Sequence, residues 1–150
     1  MASWRAAYRD ILPAEFLDRL SVAERETQHR DQLTDPKPRS GVLVVELSGI
    51  LGFASFAPSR DDDATAQTGE VTAIYLHPDV IGTGTGRHLF SETVRALKET
   101  GFARATLWVL KANTLARRFY EKAGWAWDGS VGTHMFDCAN EPVVRYAVDL

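Results

Sequence analysis

The stretch Gly82-Thr83-Gly84-Thr85-Gly86-Arg87 lies between an apolar, strand-like run at residues 71–76 and a pattern typical of an amphipathic helix. Glycines at alternate positions remove the Cβ atoms that would hold a ligand away from the backbone, and they permit the positive φ angles of a sharp turn. The N–H groups of such a loop can point at an anion, which the positive end of the following helix dipole also favours. The stretch therefore predicts a phosphate-binding loop, to which Arg87 would add a full charge.

Two common nucleotide-binding motifs fit this stretch poorly. A Walker loop needs Lys and then Ser or Thr after its last glycine, where this chain has Arg87 and His88. The dinucleotide fingerprint needs G-x-G-x-x-G and an acidic residue about 20 positions later, whereas the spacing here is G-x-G-x-G and Thr106 stands at that distance. For the glycines alone, an ordinary turn remains the alternative interpretation.

The composition narrows the class of protein. A chain of 150 residues suits one domain over residues 1–150, and 45% apolar with 25% charged residues is typical of a globular protein. The net charge of −3 gives no electrostatic reason to expect a nucleic-acid partner, and no apolar run approaches the ~20 residues of a membrane span. Because the first residues also lack the apolar centre of a signal peptide, we expect a cytoplasmic protein.

The single cysteine, Cys138, argues against an internal disulfide and against a thiolate metal site, so we expect no metal. Cys138 and the nearby His134 could be a nucleophile and its base. However, the segment is loop-like and offers no helix N-terminus that would activate a thiol. A small, half-buried cysteine is therefore the preferred interpretation.

The order of predicted elements indicates an α/β fold. Helical spacing predicts short helices at residues 3–11 and after Pro13, and an S-x-x-E capping box at Ser21 begins a third helix that ends near residue 33. Trp4 and Tyr8 on the first helix could line a substrate pocket, although aromatic residues at helical spacing more often belong to a core. Strands are predicted at residues 42–47, 50–56, 70–77, 104–110, 125–129 and 143–148.

Strand, helix, strand and helix follow one another from residue 70 to residue 124, which is typical of a crossover connection. The strands at 70–77 and 104–110 should therefore be parallel and adjacent. Asn113 is a predicted helix N-cap, and Gly101 and Gly124 are predicted to end helices. Residues 129–142 are predicted to form an irregular loop.

Three consecutive aspartates, Asp61, Asp62 and Asp63, lie in a polar segment between two predicted strands. A solvated hairpin tip is the simplest interpretation of such a charge run. Attraction of a cationic substrate is the alternative.

Two motifs resemble the signatures of the GCN5-related N-acetyltransferase (GNAT) family. The first combines Glu70 in a strand, the strand end Leu76-His77-Pro78 and the glycine motif from Ile81 to Gly86. The second runs from Asn113 through Phe119-Tyr120 to Gly124-Trp125. The resemblance extends to the first helix and the following Ile11-Leu12-Pro13, so it covers nearly the whole chain.

The resemblance implies the GNAT acyl-CoA N-acyltransferase fold, a mixed central sheet flanked by helices. It also implies an acetyl-CoA-dependent N-acetyltransferase that acts on a primary amine of a small molecule or peptide by direct attack on the thioester. Acetyl-CoA would lie in a V opened between the strands at 70–77 and 104–110. The implied cofactor-binding residues are Ile74, Tyr75, Leu76, Gly82, Thr83, Gly84, Thr85, Gly86, Arg87, Asn113 and Tyr120.

Acetyl transfer to an amine needs a group that removes the amine's proton, a donor for the oxyanion and an acid for the leaving thiolate. Glu70 is the candidate base, directly or through water, a backbone N–H near Leu76 would serve the oxyanion, and Tyr120 could give its phenolic proton to the thiolate. Each has a simpler interpretation, since Tyr120 could be core and Glu70 a solvated strand end. His77 is a weaker candidate for the base.

Two features depart from the family pattern. Ile81 stands where the family usually has Arg or Gln, and the chain opens with a helix where family members first have a strand. Without that strand, residues 42–47 would form an open edge, which predicts a homodimer paired edge to edge. The same departures keep open a second function, a non-catalytic acyl-CoA-binding or sensing module on this fold.

Overall fold

The computed structural model describes residues 2–35, 37–136 and 139–150. Within these ranges the helices are α1 Ala2–Tyr8, α2 Ala14–Arg19, α3 Val22–Thr34, α4 Thr85–Glu99 and α5 Thr114–Lys122. The strands are β1 Gly41–Glu46, β2 Ile50–Pro58, β3 Thr68–Leu76, β4 Arg104–Leu110, β5 Ala126–Met135 and β6 Asn140–Asp149. A 3₁₀ turn at Pro78–Val80 leads from β3 to the glycine loop.

The six strands form one mixed sheet in the order β1-β2-β3-β4-β6-β5. β3 and β4 are parallel, and the other four neighbouring pairs are antiparallel. A parallel pair needs a crossover connection, which α4 provides here. The predicted parallel pairing of the strands at residues 70–77 and 104–110 is therefore confirmed, as is the predicted mixed sheet with flanking helices.

β3 and β4 separate after a short paired segment. Their ladder joins Thr68 to Arg104, Gly69 to Ala105 and Glu70 to Thr106, and it ends there although β3 continues to Leu76. On its other side β3 stays paired with β2 to the end of the strand. The result is a V-shaped cleft between β3 and β4.

The main core lies on the face of the sheet that carries α4 and α5. Phe90 and Leu97 of α4 and Tyr120 of α5 pack there with Leu107 and Tyr146 of the sheet, and none of these residues is more than 8% exposed. Burial of an apolar side chain of this size contributes about 1.5–3 kcal/mol to folding. Close packing on this face holds both helices in place against the cleft.

The helix ends lie where local signals predict them. Ser21 begins α3 and Asn113 begins α5, and each side chain accepts a hydrogen bond from the backbone N–H three residues later, at 3.3 and 3.1 Å. Gly101 and Gly124 follow α4 and α5 with φ of 90° and 87°. This left-handed conformation is the one that glycine adopts most readily after a helix. These four predictions are confirmed.

The prediction of an irregular loop at residues 129–142 is wrong. β5 runs to Met135 and β6 begins at Asn140, so a hairpin occupies most of the segment. The register of the hairpin shifts between Trp127 and Val131, which hides the strand pattern in the sequence. Most side chains of β5 are also exposed, and an exposed strand shows no regular apolar alternation. The predictions for Cys138 fall outside the described residues.

β1 lies at the free edge of the sheet. In the described part of the chain it pairs with β2 alone. Val42 and Val44 of β1 are 43% and 55% exposed, and Glu46 carries the one charge in the strand. The open edge expected at residues 42–47 is thus present.

None of the helices formed by the described residues combines the length and the apolar content that crossing a membrane requires.

Candidate functional site

The cleft between β3 and β4 presents backbone hydrogen-bonding groups. Ile74, Tyr75 and Leu76 pair with β2 on one side, and because alternate residues of an antiparallel strand bond the same neighbour, the remaining groups point into the cleft. There they meet no partner from β4, since the β3–β4 ladder has already ended at Glu70. Such a row of amide groups suits an extended ligand that carries amides of its own, which can bind as an added strand would.

The glycine loop follows the C-terminal end of β3 and leads directly into α4. Gly82 and Gly84 have φ of 85° and 93°, which residues with a side chain rarely adopt. A Cβ at either position would meet no protein atom within 4 Å. The hydroxyls of Thr83 and Thr85 lie 2.8 Å apart and link the two ends of the turn. The loop therefore presents bare backbone to the surrounding space.

Gly86 differs from the two earlier glycines, because its neighbour is a protein side chain. A Cβ there would lie 2.6 Å from Cδ1 of Leu76, so the missing side chain lets the first turn of α4 approach β3 closely. The interpretation that a Cβ would intrude on a bound phosphate therefore fits Gly82 and Gly84, but not Gly86. Gly86 positions the helix end, and the two earlier glycines leave space in front of it.

The N-terminus of α4 has the properties of an anion site. No side chain caps this end, where Gly84 occupies the N-cap position, and no acidic residue lies in the first turn. The first N–H groups of an α-helix, here those of Thr85, Gly86 and Arg87, have no acceptor within the helix. Because the exposed side chain of Arg87 lies in the same turn, this end of the helix fits the pyrophosphate of coenzyme A.

Asn113 lies beyond the end of β4, on the other arm of the cleft. Its Oδ1 atom accepts the capping hydrogen bond at the start of α5, so the carbonyl half of the side chain already has a partner. The two N–H donors of the amide remain, and they could bind a carbonyl of a ligand in the cleft.

Tyr120 combines a buried ring with an accessible hydroxyl. The ring packs 5.4 Å from those of Phe90 and Phe119. Among the described residues, every fully buried side-chain nitrogen or oxygen has a hydrogen-bond partner. The Tyr120 hydroxyl has no hydrogen-bond partner among the described residues. It therefore cannot be one of the fully buried atoms, and it must reach solvent-accessible space. Burial raises the pKa of Tyr120, and the nearby Tyr75 raises it further by a smaller amount. The phenol therefore stays protonated, as a general acid requires.

Glu70 lies at the closed end of the cleft, in the last pair of the β3–β4 ladder. Its side chain is 8% exposed, and the guanidinium of Arg60 lies 3.8 Å away. Burial raises the pKa of Glu70, and Arg60 opposes this effect. The interpretation of Glu70 as a solvated strand end is therefore wrong, and a buried carboxyl with a raised pKa has the property expected of a general base.

The structure does not bring Glu70 and Tyr120 into contact. Tyr120 is close to Tyr75, which lies five residues after Glu70 on an extended strand, a separation of roughly 15 Å. A proton that moves between an amine near Tyr120 and Glu70 would have to pass through water. His77 caps the turn at Pro78–Val80 by accepting from the N–H of Asp79 at 3.4 Å, which fits its interpretation as a loop residue.

Arg145 on β6 is the centre of a network that sequence reasoning missed. Its guanidinium donates to Asp63 at 2.6 Å, to Asp61 at 3.0 Å and to Asp128 at 2.7 Å. Asp61 also accepts a hydrogen bond from the indole of Trp108 at 2.9 Å. The hydrogen bond to Asp63 raises the pKa of Arg145 although burial opposes it. The sequence did contain a signal for this network, namely a single arginine within the apolar run of β6.

The prediction of a solvated hairpin tip is therefore wrong for Asp61, whose side chain is 18% exposed, whereas the side chain of Asp63 is 65% exposed although it pairs with Arg145. Asp61 and Asp63 bind the chain's own Arg145, which leaves Asp62 alone exposed without a described ion pair. The two carboxylates fix the loop at residues 59–67 to the sheet. Their negative charge is largely neutralised by Arg145 within the protein.

Aromatic side chains gather on the face of the sheet opposite α4 and α5. Trp4 of α1 lies with its ring centroid 6.1 Å from those of both Tyr75 and Phe136, and Phe53 of β2 lies 5.6 Å from Tyr75. We call these four residues the aromatic wall. All four are half-buried and none belongs to the main core, so the expectation that Trp4 is a core residue is wrong. Tyr8 adjoins the wall, 5.1 Å from Trp4.

Comparison with known proteins bears on the family and the fold of the chain. The sequence profile of the acetyltransferase (GNAT) family matches residues 2–125. Among curated proteins, the chain is 33% identical over 113 residues to the uncharacterized N-acetyltransferase YuaI of Bacillus subtilis. That match covers 74% of the chain and 62% of YuaI, so the chain spans less than two thirds of the length of that relative.

Solved structures share the fold at low sequence identity. The ribosomal-protein-alanine N-acetyltransferase of Brucella melitensis superposes with a TM-score of 0.73 at 18% identity, over 99% of this chain and 91% of that one. The PaiA N-acetyltransferase of Thermoplasma acidophilum, crystallised in complex with coenzyme A, gives 0.71 at 18% identity, over 96% and 85%. With the profile match over most of the chain, these findings show that the protein belongs to the GNAT family of acetyltransferases.

Proposed function

We propose that this protein transfers the acetyl group of acetyl-CoA to a primary amine of a small molecule or peptide. The observation that carries the proposal is the uncapped N-terminus of α4, which follows a bare glycine loop after β3, the strand that forms one arm of the V-shaped cleft. Bound acetyl-CoA supplies a thioester whose carbonyl carbon an amine can attack. The residues around the cleft then have four tasks: to anchor the cofactor, accept a proton, bind the oxyanion and donate a proton.

The anchoring residues divide along the length of the cofactor. The N–H groups of the loop and first turn, from Gly82 through Thr83, Gly84, Thr85 and Gly86 to Arg87, would hold the pyrophosphate. The cleft-facing backbone at Ile74, Tyr75 and Leu76 would bind the amides of the pantetheine arm from one side, and the Asn113 side chain from the other. An added strand bound in this way needs no sequence-specific side chain, so Ile81, which is 50% exposed, does not prevent binding.

Proton transfer completes the reaction. Glu70, through water, would accept the proton that the amine loses as the C–N bond forms, and a backbone N–H near Leu76 would donate to the oxyanion. Tyr120 would give its proton to the sulfur as the C–S bond breaks. A phenol with a raised pKa holds its proton until a thiolate develops beside it, and a carboxyl with a raised pKa is a stronger base than an ordinary glutamate.

The test of the proposed function is thiol release from acetyl-CoA over a panel of amines that includes amino acids, polyamines, aminoglycosides and peptide N-termini. We expect release with at least one acceptor at a rate well above the acceptor-free control. Coenzyme A binding with no release across the whole panel would contradict the proposal and favour a sensing module.

The first prediction concerns the glycine loop. Gly84→Ala should weaken coenzyme A binding at least tenfold, about 1.4 kcal/mol, because its Cβ would enter the space in front of the helix end. The matched control is Gly129→Ala on β5, where φ is 92° and a Cβ again meets no protein atom within 4 Å. Both variants place an alanine at nearly the same positive φ. Equal calorimetric affinities in the two folded variants would remove the phosphate site from this loop.

We also propose that two copies of the chain pair through β1. The free edge at Gly41–Glu46 offers unpaired backbone groups beside the exposed Val42 and Val44, and a single glutamate is weak protection against strand pairing. Two antiparallel copies of one edge are self-complementary about a two-fold axis.

Sedimentation and hydrogen exchange test the dimer. We expect slow, concentration-dependent exchange of the amides at residues 42–47, and loss of that protection in Val44→Lys, which adds a charge to the edge. A monomer at high concentration with freely exchanging outward amides would contradict the dimer.

The cytoplasmic location and the single domain stay predictions from the sequence.

A further inference from the structure

Glu70, Trp108 and Arg145 lie on the same face of the sheet, opposite α4 and α5. Each of the three adjoins a core residue of its own strand, and because side chains alternate along a strand, each points away from the main core. Arg145 is the ladder partner of Trp108, and Glu70 is the ladder partner of Thr106, two positions before Trp108. The three side chains therefore follow one another across β3, β4 and β6.

The loop at residues 59–67 is anchored to this row of side chains. Asp61 accepts hydrogen bonds from the Trp108 indole at 2.9 Å and from Arg145 at 3.0 Å. Asp63 accepts from Nη1 and Nη2 of the same guanidinium, each at 2.6 Å, which is a bidentate arrangement. The side chain of Arg145 is 10% exposed. The loop is thus attached to the sheet at a largely buried cation.

The beginning of the same loop lies beside the carboxyl of Glu70. The guanidinium of Arg60 is 3.8 Å away, although the Arg60 side chain is itself 76% exposed. Burial raises the pKa of Glu70, Arg60 opposes this rise, and the negative charge of Asp61 adds to it. The ladder partners of Glu70 on the neighbouring strands, Ala57 and Thr106, carry no charge. Both of these charges beside Glu70 therefore belong to the loop.

The loop also encloses a cavity of about 190 Å³ at the closed end of the cleft. Its lining includes Thr68, Thr106, Asp63 and Arg145. Thr106 is the ladder partner of Glu70, and Thr68 lies two residues before Glu70 on the same face. If the pair between Asp63 and Arg145 separated, the loop could lift and solvent would enter this space beside the carboxyl.

We propose that Arg145 is a positioning residue for Glu70. By holding Asp61 and Asp63 it keeps the loop closed over the sheet, and the closed loop keeps solvent away from the carboxyl. Arg145 therefore acts through the loop and not by contact with the reacting atoms. This inference rests on the proposed function, in which Glu70 is the base, but the coupling between the loop and the carboxyl can be measured without the reaction.

Arg145→Met tests the proposal, because methionine is an unbranched side chain that cannot bind a carboxylate. Two NMR measurements on the variant need no substrate. The Trp108 indole N–H loses Asp61 when the loop opens, so its exchange with solvent should become about tenfold faster or more. Titration of the Glu70 carboxyl carbon gives the pKa of that group. Burial is the largest cause of the raised pKa, so this pKa should fall toward the ordinary glutamate value.

Arg104→Met is the matched control. Arg104 lines the same cavity as Arg145, but its described ion pairs go to Asp128 and Asp149 and not to the loop. We expect this variant to leave both NMR measurements at their wild-type values. An equal fall of the Glu70 pKa in the control would overturn the inference, since the loss of any nearby cation would then suffice.

Asp63→Ala is the second variant, should Arg145→Met fail to fold. It removes the bidentate pair while Arg145 keeps its bonds to Asp61 and Asp128, and the same two changes are expected. An unchanged pKa of Glu70 in a folded variant would overturn the inference. In Arg145→Met a rise would overturn it too, because the arginine would then act on Glu70 as a charge and not through the loop.

The pH profile of kcat connects the loop to the reaction. In Arg145→Met the rise of kcat with pH should move to lower pH together with the Glu70 titration. A profile that stays in place while the titration moves would overturn the positioning role, because another group would then take the proton. If the titration moves and no amine is acetylated by the wild type, the proposed function fails and the coupling between loop and carboxyl still stands.

Discussion

Replacing Tyr120 by phenylalanine should lower kcat about 10²- to 10⁴-fold and leave the dissociation constant of coenzyme A nearly unchanged. General acid catalysis contributes on this order, and the proton is needed only when the C–S bond breaks. The ring of Tyr120 packs with Phe90 and Phe119, and phenylalanine preserves that packing. The hydroxyl, in contrast, reaches accessible space and contributes no hydrogen bond within the described protein.

Tyr146→Phe is the matched control for Tyr120→Phe. The two rings are neighbours, 6.2 Å apart, but the Tyr146 hydroxyl donates to Glu121 at 2.6 Å and accepts from Arg117 at 3.2 Å. Its removal should lower stability by about 1 kcal/mol without a comparable loss of kcat. Steady-state kinetics and calorimetry distinguish the two. Wild-type kcat in Tyr120→Phe would return that residue to a purely structural role.

The second large effect is expected at Glu70. Glu70→Gln should lower kcat about 10²-fold near neutral pH, because an amide cannot accept the proton of the attacking amine. In the wild type only the carboxylate form is active, so kcat should rise with pH as this group ionises. Burial raises the pKa of Glu70, which places the rise above the ordinary glutamate value of about 4.3.

The pH profile of kcat separates a base from a structural carboxyl. Glu70→Gln should lose the part of the rise that belongs to Glu70, whereas Glu46→Gln on the exposed edge strand should keep the wild-type profile. Loss of activity with an unchanged profile would mean that Glu70 positions Arg60 or the strand and that bulk water takes the proton.

Features encoded in short segments could be predicted from the sequence. The N-caps at Ser21 and Asn113 and the glycines after α4 and α5 are local signals, because the residues that interact are within a few positions of one another. The crossover from β3 to β4 follows from the order of elements. These local rules located the glycine loop, the cleft strand and the helix that carries Tyr120.

Features that join distant segments could not be predicted. Arg145 is 82 and 84 positions from Asp63 and Asp61, and nothing in either segment identifies the other. The aromatic wall combines four elements in the same way. Gly86 shows another limit of prediction from sequence. The glycine motif indicates that a small residue belongs at this position, but not that the side chain of Leu76 is the reason.

The short β3–β4 ladder has a mechanical consequence. Only three residue pairs join β3 to β4. The sheet therefore consists of two halves, β1-β2-β3 and β4-β6-β5, which are joined at the closed end of the cleft. Arg145 belongs to the second half, and the loop it binds through Asp61 and Asp63 connects two strands of the first. The ion-pair network therefore ties the two halves together near the closed end of the cleft, and we expect the width of the cleft to depend on charges outside it.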